Sequence, residues 1–594
     1  MLWTASGQWT TPARRAALAW WLALLATSAP APEAWAARSQ RLQLKKAQRL
    51  VPQTDRPTAT SPACVIDYSS AGKPPNPRWQ EEVARRRRAL PAAAAVADLP
   101  VRSADWHGGA PVEVSGHNAV LRAVVRLPAR PGRWPLALIL HGNHGACRDS
   151  RGIDHCPVPP AQTCAPGETP VPTPQGMTWL AEELARQGVA ATVVDAGPMV
   201  CASGPQAAFS RAELGLAHLR AWRSAQAGAA VGIDPAVAAA VDLQRIILIG
   251  HSVGGDAALE LATQLRVGNG LAQGLPAARG ALLIAPPDWL RTSAQGIDLG
   301  VVLPTCDADV HTQAGREVWS RALVAGSRHH LGLWQLVGGH HNAANTVWPA
   351  EAEDSGKDVC PPSAHVAASD QRLWLGQLAA AFALSSASGQ PWPAWMAGRA
   401  ASPVRPGGPA LVGAGWPEVR SLVVEPGYQL VRQVELVALR ADALVHCAAK
   451  PCPTSASASE QPGWRVSWSK PGMRLELRWP DAGPAAGQRA ILRLASLAGS
   501  PRHRPLVLQA WWLVGQHRIA AGPLEILPPL DHAGSYTADA LPVVVRLGVE
   551  IPLPAAVDLR QAHALQLEAP DEERGTLRIG ELLWTAAARP AVRR

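Results

Sequence analysis

Residues 245–262 read RIILIGHSVGGDAALELA, and three local signals meet in them. Arg245–Ile249 is a short apolar run rich in β-branched residues and predicts a buried strand, while Asp256–Leu265 has the spacing of a helix. Between them lies the pentapeptide GHSVG, residues 250–254, with a serine two residues from a glycine on either side. Such glycines let the backbone turn sharply from strand to helix and expose the serine hydroxyl. We therefore expect Ser252 to be a nucleophile.

The alternation of strand and helix patterns extends over residues 101–390. It predicts one α/β domain with a mostly parallel sheet covered by helices. The other expected strands are Val120–Leu127, Leu136–Leu140, Ala190–Val194, Ala281–Ile284, Gly300–Leu303 and Leu331–Val337. The other expected helices are Met177–Gln187, Arg211–Ser224, Arg316–Ala325 and Asp370–Leu384.

A glycine-rich loop, HGNHG at residues 141–145, directly follows one of these strands. An acyl-transfer intermediate needs hydrogen-bond donors aimed at its oxyanion. We assign the backbone N–H of Val253 as one donor and that of Asn143 as the second. His144 is the alternative second donor and a candidate substrate contact. His141 and His144 lack a carboxylate or cysteine set at matching spacing, so no metal is expected there.

Two later loops offer the acid and the base, in the chain order serine, acid, base. The last expected strand of the sheet ends in Gly-Gly-His340-His341-Asn, so either histidine is a candidate base. Asp307 follows the preceding strand and is the expected acid, and Asp309 is the alternative.

The nine cysteines favour an oxidising compartment, where disulfides persist. A bridge between Cys306 and Cys360 would hold the acid and base loops in register. Four further cysteines cluster around the loop that follows residue 145 and allow two more bridges: Cys147, Cys156, Cys164 and Cys201. Cys447 and Cys452 can close a small loop, and Cys64 is the expected spare.

A segment rich in proline and glycine, residues 391–415, predicts a linker. Beyond it, helical periodicity fades and alternating runs predict a β-sandwich domain over residues 416–594. Its expected strands include Arg465–Trp468, Arg474–Trp479, Ala490–Leu494, Leu506–Trp512 and Val543–Ile551.

The amino terminus has the pattern of an export signal over residues 1–36. Arg14 and Arg15 precede the apolar run Ala16–Leu25, and Ala34-Trp35-Ala36 fits the small-residue cleavage rule. Residues 37–100 are rich in Ala, Pro and Arg and predict a low-complexity leader. We therefore expect a secreted or periplasmic protein with no stable membrane insertion.

The formal charge of +10 does not indicate a nucleic-acid partner. Only 6 of the 56 basic residues are Lys, and the arginines are spread along the chain. The one dense run, Arg85–Arg88, lacks the interleaved aromatic residues of a single-strand binder.

Over about half of the chain, residues 115–385, these motifs resemble secreted bacterial α/β-hydrolases of the cutinase-like and platelet-activating-factor-acetylhydrolase-like esterases. The resembling segments are LHGNHGAC (140–147), RAELGLAHLRAW (211–222), GHSVGG (250–255), CDADV (306–310) and HNAAN (341–345). The resemblance implies the α/β-hydrolase fold and favours His341 over His340, because the histidine followed by Asn is the base in that group. Val253, Asp256 and His340 depart from it, since Arg, Glu and Asn are expected there.

Near the carboxyl terminus, residues 558–567 and 575–584 are similar to the closing strands of galactose-binding-like jelly rolls. This second resemblance implies a jelly roll and possible glycan contact through the C-terminal domain.

The expected activity is hydrolysis of a small or polymeric carboxylic ester through a Ser252–His341–Asp307 triad. This chemistry needs no cofactor. Trp289 is a candidate for lining the acyl pocket. The alternatives are a serine peptidase or amidase on the same scaffold, and a non-catalytic glycan-binding protein that retains the hydrolase fold.

Overall fold

The computed structural model describes residues 99–586 except for these gaps: 109–110, 158–163, 203, 350–359, 361–364, 399–418, 427, 432–433, 448–462, 486–487, 497–505, 527–546, 555–557 and 573. All described residues belong to one compact unit, residues 74–594. The expected signal peptide, most of the leader, the greater part of the linker and Cys64 lie outside the described residues. Among the helices of the described part, none has both the length and the apolarity needed to cross a bilayer.

Within the described residues, ten strands form one large mixed sheet. They are β1 (Val101–Ser103), β2 (Trp106–His107), β5 (Arg122–Pro128), β6 (Trp134–Leu140), β10 (Ala190–Val194), β11 (Val241–His251), β12 (Gly280–Ile284), β13 (Asp298–Pro304), β14 (Leu331–Leu336) and β15 (Val419–Val424). Their order is β1-β5-β10-β6-β11-β12-β13-β14-β15, with β2 also paired to β5. In this order, each strand from β10 to β14 is parallel to its neighbours, whereas β5 pairs antiparallel with β1, β2 and β10, and β15 pairs antiparallel with β14. This sheet confirms the predicted mixed α/β arrangement with mostly parallel strands.

Helices cover both faces of the sheet because its central strands are apolar on both sides. The helices are α1 (Thr178–Arg186), α2 (Gly204–Gln226), α3 (Pro235–Ala239), α4 (Val253–Val267), α5 (Gly315–Ala325) and α6 (Ala368–Ser388). Along β6, Leu136, Leu138 and Leu140 lie in one core with residues of α2, α4 and α5. Ala137 and Ile139 lie in a second core with residues of α1 and α6. The alternation follows from the two-residue period of a strand.

Two helices differ from the sequence prediction. α2 begins at Gly204, before the expected Arg211, because Pro205 is tolerated in a first turn and Ala207 and Ala208 favour the helix. The short α3 was not predicted, and it begins where the Asp234 side chain accepts backbone N–H groups from the first turn.

Two small sheets lie outside the large one. One pairs β3 (Val112–Val114) with β4 (His117–Ala119), and the other joins β7 (Cys147–Arg148), β8 (Asp154–His155) and β9 (Thr169–Pro170). The second belongs to the long insertion that follows the loop 141–145.

The first strand after the linker belongs to the α/β domain. Residues 416–594 were all assigned to the β-sandwich, but β15 pairs antiparallel with β14 along its whole length. An alternating pattern identifies a strand but does not reveal which strand pairs with it. Without β15, the backbone N–H and C=O groups along one side of β14 would be unpaired. For the sheets, the boundary between the two domains therefore lies after Val424.

Two antiparallel sheets follow and share a single core. The first contains β16 (Gln429–Leu430), β18 (Ala443–Cys447), β19 (Gly463–Trp468), β21 (Gln488–Ser496), β24 (Leu547–Ile551) and β26 (Gly575–Ala586). The second contains β17 (Glu435–Arg440), β20 (Met473–Arg478), β22 (Leu506–Val514), β23 (His517–Ile526) and β25 (Ala562–Ala569).

The first of these sheets packs on α5 of the α/β domain. The Arg493 guanidinium lies 4.8 Å from the centre of the Trp319 ring and pairs with Glu581 at 3.0 Å. Arg493 is 2% exposed, so this contact is buried. Ile491 and Leu583 of the same sheet belong to the core of the α/β domain.

Candidate active site

Ser252 lies at a sharp turn between β11 and α4. Its backbone φ is +55°, a left-handed value that costs free energy for a residue other than glycine. A Cβ on Gly250 would lie 2.0 Å from the Gly254 carbonyl oxygen, and one on Gly254 would lie 2.1 Å from the Leu140 carbonyl oxygen. Sterics therefore require both glycines of the GHSVG turn, which holds Ser252 at the carboxyl end of the parallel strands.

The Ser252 side chain does not cap the helix that it begins. A serine at this position usually accepts a hydrogen bond from a first-turn N–H, but Ser252 makes no such bond. Its own N–H donates to the Ile284 carbonyl oxygen at 2.8 Å, which fixes the residue against β12. Val253 is the first residue of α4, where backbone N–H groups have no acceptor within the helix. A serine hydroxyl and a backbone donor are thus adjacent at this turn.

The loop 141–145 packs directly on Ser252. A Cβ on Gly142 would lie 2.7 Å from the Ser252 Cβ, so glycine permits this approach. His141 is 1% exposed, and its ring bonds to the Gly142 carbonyl through Nδ1 and to the Ala196 N–H through Nε2, at 2.9 and 3.1 Å. Burial, with a contribution from the charge of Arg211, lowers the pKa of His141 to about 4. His141 is therefore neutral at physiological pH. Its two buried hydrogen bonds fix the conformation of the loop.

The Asn143 side chain is held at both ends of its amide. Its Nδ2 donates to the Ala202 carbonyl oxygen at 2.5 Å, and its Oδ1 accepts from the Arg211 guanidinium at 2.5 Å. Arg211, on α2, is 1% exposed, and burial lowers its pKa to about 9. The backbone that carries the second expected oxyanion donor is thereby fixed next to a buried positive charge.

Trp348 covers this side of the turn. Its ring centroid lies 4.8 Å from that of His144 and 5.4 Å from that of His251, and the residue is 7% exposed. His144 Nδ1 accepts the Gly145 N–H at 2.6 Å. Trp348 was not among the site residues predicted from the sequence.

Asp307 and His341 lie together. His341 Nδ1 is 2.9 Å from Asp307 Oδ2, and their side chains are 1% and 2% exposed. The other oxygen of Asp307 accepts the backbone N–H groups of Asp309 and Val310 at 3.0 and 2.6 Å. The backbone of its own loop therefore orients the Asp307 carboxylate independently of the contact with the imidazole. Asp309 lies at the opposite nitrogen, with Oδ2 3.3 Å from His341 Nε2.

His340 faces a different environment. Its ring packs edge-on against His365 with 4.3 Å between centroids, and its backbone N–H donates to the Gln371 side-chain oxygen at 2.8 Å. Gln371 also donates to the His340 carbonyl oxygen at 2.7 Å. This double contact with α6 fixes the backbone of the histidine loop, so the two adjacent histidines have separate surroundings.

The acid and base loops are joined to each other. The Cys306 N–H donates to the Gly339 carbonyl oxygen, and the Gly338 N–H donates to the Thr305 hydroxyl, both at 2.8 Å. The predicted Cys306–Cys360 disulfide is present. The other cysteine cluster pairs as Cys147–Cys164 and Cys156–Cys201. Cys452, and the side chain of Cys447, lie outside the described part of the chain.

The His341 ring lies next to the serine turn. Its centroid is 4.6 Å from that of His251, the residue that precedes Ser252. His251 is fully buried, and burial, followed by the charges of His341 and His141, lowers its pKa well below the ordinary histidine value. The structure therefore brings the imidazole of His341, paired with Asp307, to the side of the turn that carries Ser252.

Asp256, in the first turn of α4, fixes a strained loop beside this region. Its carboxylate accepts backbone N–H groups from Asp288 and Trp289 at 3.1 and 2.6 Å. Burial raises the pKa of Asp256 to about 6, against the effect of these hydrogen bonds. Asp288 and Arg291 both have positive φ. The loop holds Trp289 with 42% of its surface exposed, which leaves its role in substrate contact a prediction.

One group of described residues brings possible metal ligands together. Cys147, Cys164 and Glu168 lie close enough to share an ion, but the two cysteines are joined in a disulfide. Both ring nitrogens of His141 bond to the backbone.

No protein-family model matches the chain, and no curated protein matches it in sequence.

Proposed function

We propose that the chain is an exported serine hydrolase with the α/β-hydrolase fold that cleaves carboxylic esters. The observation that carries the proposal is the 2.9 Å contact between His341 Nδ1 and a buried Asp307 whose other oxygen is held by two backbone N–H groups. A carboxylate in this position fixes the tautomer of an imidazole, which leaves Nε2 able to accept a proton. The nearby serine turn supplies the group that would lose it.

In the proposed reaction, the Ser252 oxygen attacks the ester carbonyl carbon while His341 Nε2 takes the hydroxyl proton. The N–H groups of Val253 and Asn143 stabilise the resulting oxyanion. The C–O bond to the alcohol then breaks, and the alcohol leaves with the proton from His341. Water attacks the acyl-enzyme by the same route and releases the carboxylic acid. Asp307 orients the imidazole and stabilises its protonated form.

The remaining parts of the proposal concern partners and location. The three disulfides, together with the export pattern of residues 1–36, support a secreted or periplasmic enzyme. Its substrate is a small-molecule or polymeric ester. The C-terminal pair of sheets is proposed as a jelly roll able to contact glycans.

The test uses the purified mature protein, p-nitrophenyl esters of short acids and a fluorophosphonate probe. We expect ester cleavage and phosphonylation of Ser252, located by peptide mass. Ser252→Ala should lose at least about 10⁴-fold in kcat, because the attacking atom is removed. Ser386→Ala is the matched control, because Ser386 is also buried but lies far from Ser252 along the strands. Ser386 is on α6 and lines a cavity of about 510 Å³. Arg279, which precedes β12 at the opposite end of the sheet, lines the same cavity.

The alternatives give different results in the same experiment. A serine peptidase or amidase would label at Ser252 but prefer aminoacyl amides to esters of the same acyl group. A non-catalytic glycan-binding protein would remain unlabelled while folded, and that result would refute the proposal.

A further inference from the structure

The imidazole of His341 has a carboxylate at each nitrogen. Asp307 lies 2.9 Å from Nδ1 and its side chain is 2% exposed. Asp309 lies 3.3 Å from Nε2 and its side chain is 66% exposed. The two aspartates are two residues apart on one loop, yet one is enclosed and the other faces solvent.

The contact of Asp309 is informative because it is made with Nε2 of His341. Nε2 is the nitrogen that must accept the Ser252 proton if the proposed function is correct. When the imidazole is neutral and its proton lies on Nδ1, Nε2 carries a lone pair, which a carboxylate repels. When the imidazole is protonated at both nitrogens, the same contact is an ion pair. Asp309 therefore favours the form of His341 that cannot act as a base.

We propose that Asp309 pairs with the protonated imidazole of His341 at Nε2 and so disfavours the neutral form that accepts the Ser252 proton, and that from the same position it selects against substrates that carry a negative charge near the scissile ester. The inference rests on the proposed function, because it assigns a role relative to the nucleophile. In this inference, Asp309 influences the pH dependence of kcat/KM and the preference for neutral over anionic substrates. Asp307 has the separate role of the triad acid.

The other ionisable groups around His341 do not replace this effect. Asp307 is fixed at Nδ1. His251, whose ring contacts that of His341, has its pKa lowered well below the usual value by burial, and His141 behind it has a pKa of about 4. Both are neutral near pH 7. The guanidinium of the buried cation Arg211 is bonded to the Asn143 side chain. Of Asp307 and Asp309, the second is the carboxylate that is substantially open to solvent.

The first expected effect concerns pH. Since Asp309 stabilises the imidazolium, Asp309→Asn should lower the pKa of His341 and move the acid limb of kcat/KM to lower pH. An exposed charge is screened, so we expect a shift of about half a unit to one unit. That corresponds to a gain in kcat/KM of about three- to tenfold below the limb. On the plateau, kcat should change by less than about twofold, because the neutral base is already fully populated there.

The second expected effect concerns substrate charge. Two p-nitrophenyl esters of similar size, one neutral and one with a free carboxylate on the acyl chain, give a ratio of kcat/KM values. Asp309→Asn should raise the relative rate of the anionic ester by about threefold or more at low ionic strength. The effect should shrink in high salt, because the charge is exposed. An unchanged ratio would overturn the selection part of the proposal.

Two matched variants control for loss of charge. Asp481→Asn removes an exposed aspartate from the C-terminal domain and should leave the pH profile and the substrate ratio unchanged. Asp307→Asn removes the enclosed partner and should abolish most activity at every pH. If Asp309→Asn instead causes the large loss and Asp307→Asn does not, Asp309 is the catalytic acid and the proposal is wrong.

A measurement without turnover separates this inference from the proposed function. In a Ser252→Ala background, with ¹⁵N-labelled histidine and the His341 signal assigned through His341→Gln, NMR gives the pKa of the imidazole directly. We expect Asp309→Asn to lower that pKa by about half a unit to one unit. No change would overturn the inference even in an active hydrolase. If the parent protein failed to react with the phosphonate while this shift remained, the proposed function and the selection against anionic substrates would fail, and only the effect of Asp309 on the pKa of His341 would stand.

Discussion

Strand β14 has a histidine at each end, and each histidine lies between two carboxylates. His330, just before the strand, has Asp298 3.3 Å from Nδ1 and Glu425 3.2 Å from Nε2. His341, in the loop after it, has Asp307 at Nδ1 and Asp309 at Nε2. The two sites therefore contain the same kinds of ionisable group at opposite ends of the parallel strands. His330 lies at their amino ends, the amino edge of the sheet, and His341 lies at their carboxyl ends, the carboxyl edge.

They differ in the exposure of the second carboxylate. Asp298 and Glu425 are 10% and 14% exposed, and the His330 ring stacks on Trp392. Burial alone would lower the pKa of His330, but the hydrogen bonds that its ring donates to both carboxylates outweigh burial and raise the pKa to about 9. Two enclosed carboxylates thus keep His330 charged up to about pH 9. His341 instead has one enclosed and one exposed carboxylate, and its role as a base in the proposed function requires that it exchange its proton.

The largest expected effect tests the role of the enclosed acid at the carboxyl edge. Asp307→Asn should reduce kcat for ester hydrolysis by about 10⁴-fold, because an amide no longer fixes the proton on Nδ1 or stabilises the imidazolium. Steady-state kinetics at the pH optimum measures it. Asp298→Asn is the counterpart at the amino edge and should leave kcat within about twofold of the parent. Equal losses in the two variants would show that the edges do not differ in function.

A smaller effect is expected from replacing Arg211, the buried cation at the carboxyl ends of the parallel strands, where Ser252 and His341 lie. Arg211→Met should lower kcat by about ten- to a hundredfold with little change in KM, because the backbone of Asn143 loses its fixed orientation. Arg211→Lys should recover part of the loss. Arg220→Met, on the exposed side of the same helix, is the control. If Arg211→Met lowered thermal stability but left kcat intact, Arg211 would be a structural residue only.

The smallest effect concerns the stability of the amino edge. The folded-state pKa of His330, about 9, is above the ordinary 6.5, so its pairing stabilises the fold fully below pH 6.5 and is lost as the pH rises through 9. His330→Gln should cost about 1–2 kcal/mol at pH 6, allowing for solvent screening, and almost nothing at pH 10. Urea denaturation across this range measures the difference. A pH-independent cost would mean that the stacking on Trp392, rather than charge, stabilises this edge.

The serine turn was predictable because its determinants are local. The two glycines, the preceding apolar run and the following helix are contiguous in sequence, and sterics alone require glycine at residues 250 and 254. The strands of the parallel sheet were equally visible, because strands buried on both faces read as short continuous apolar runs. The mixed α/β arrangement was therefore predictable from the sequence alone.

Other features depend on contacts between distant segments. The pairing of β15 with β14 could not be predicted, because alternation reveals a strand but not its neighbour. Arg211 was visible as part of a helix, but its burial beside Asn143 was not, since arginine is usually exposed. The choice between Asp307 and Asp309 was also open, and the structure places them at different nitrogens of one ring.

The contact of Arg493 with Trp319 has a consequence for how the chain can be divided. Truncation after β15 would uncover the Trp319 ring and remove Ile491 and Leu583 from the core that they complete. It would also remove the Tyr428 hydroxyl, which donates to the Leu323 carbonyl oxygen near the end of α5. The C-terminal sheets thus form one folding unit with the α/β domain, and we expect a chain shortened after β15 to aggregate because it exposes this apolar surface.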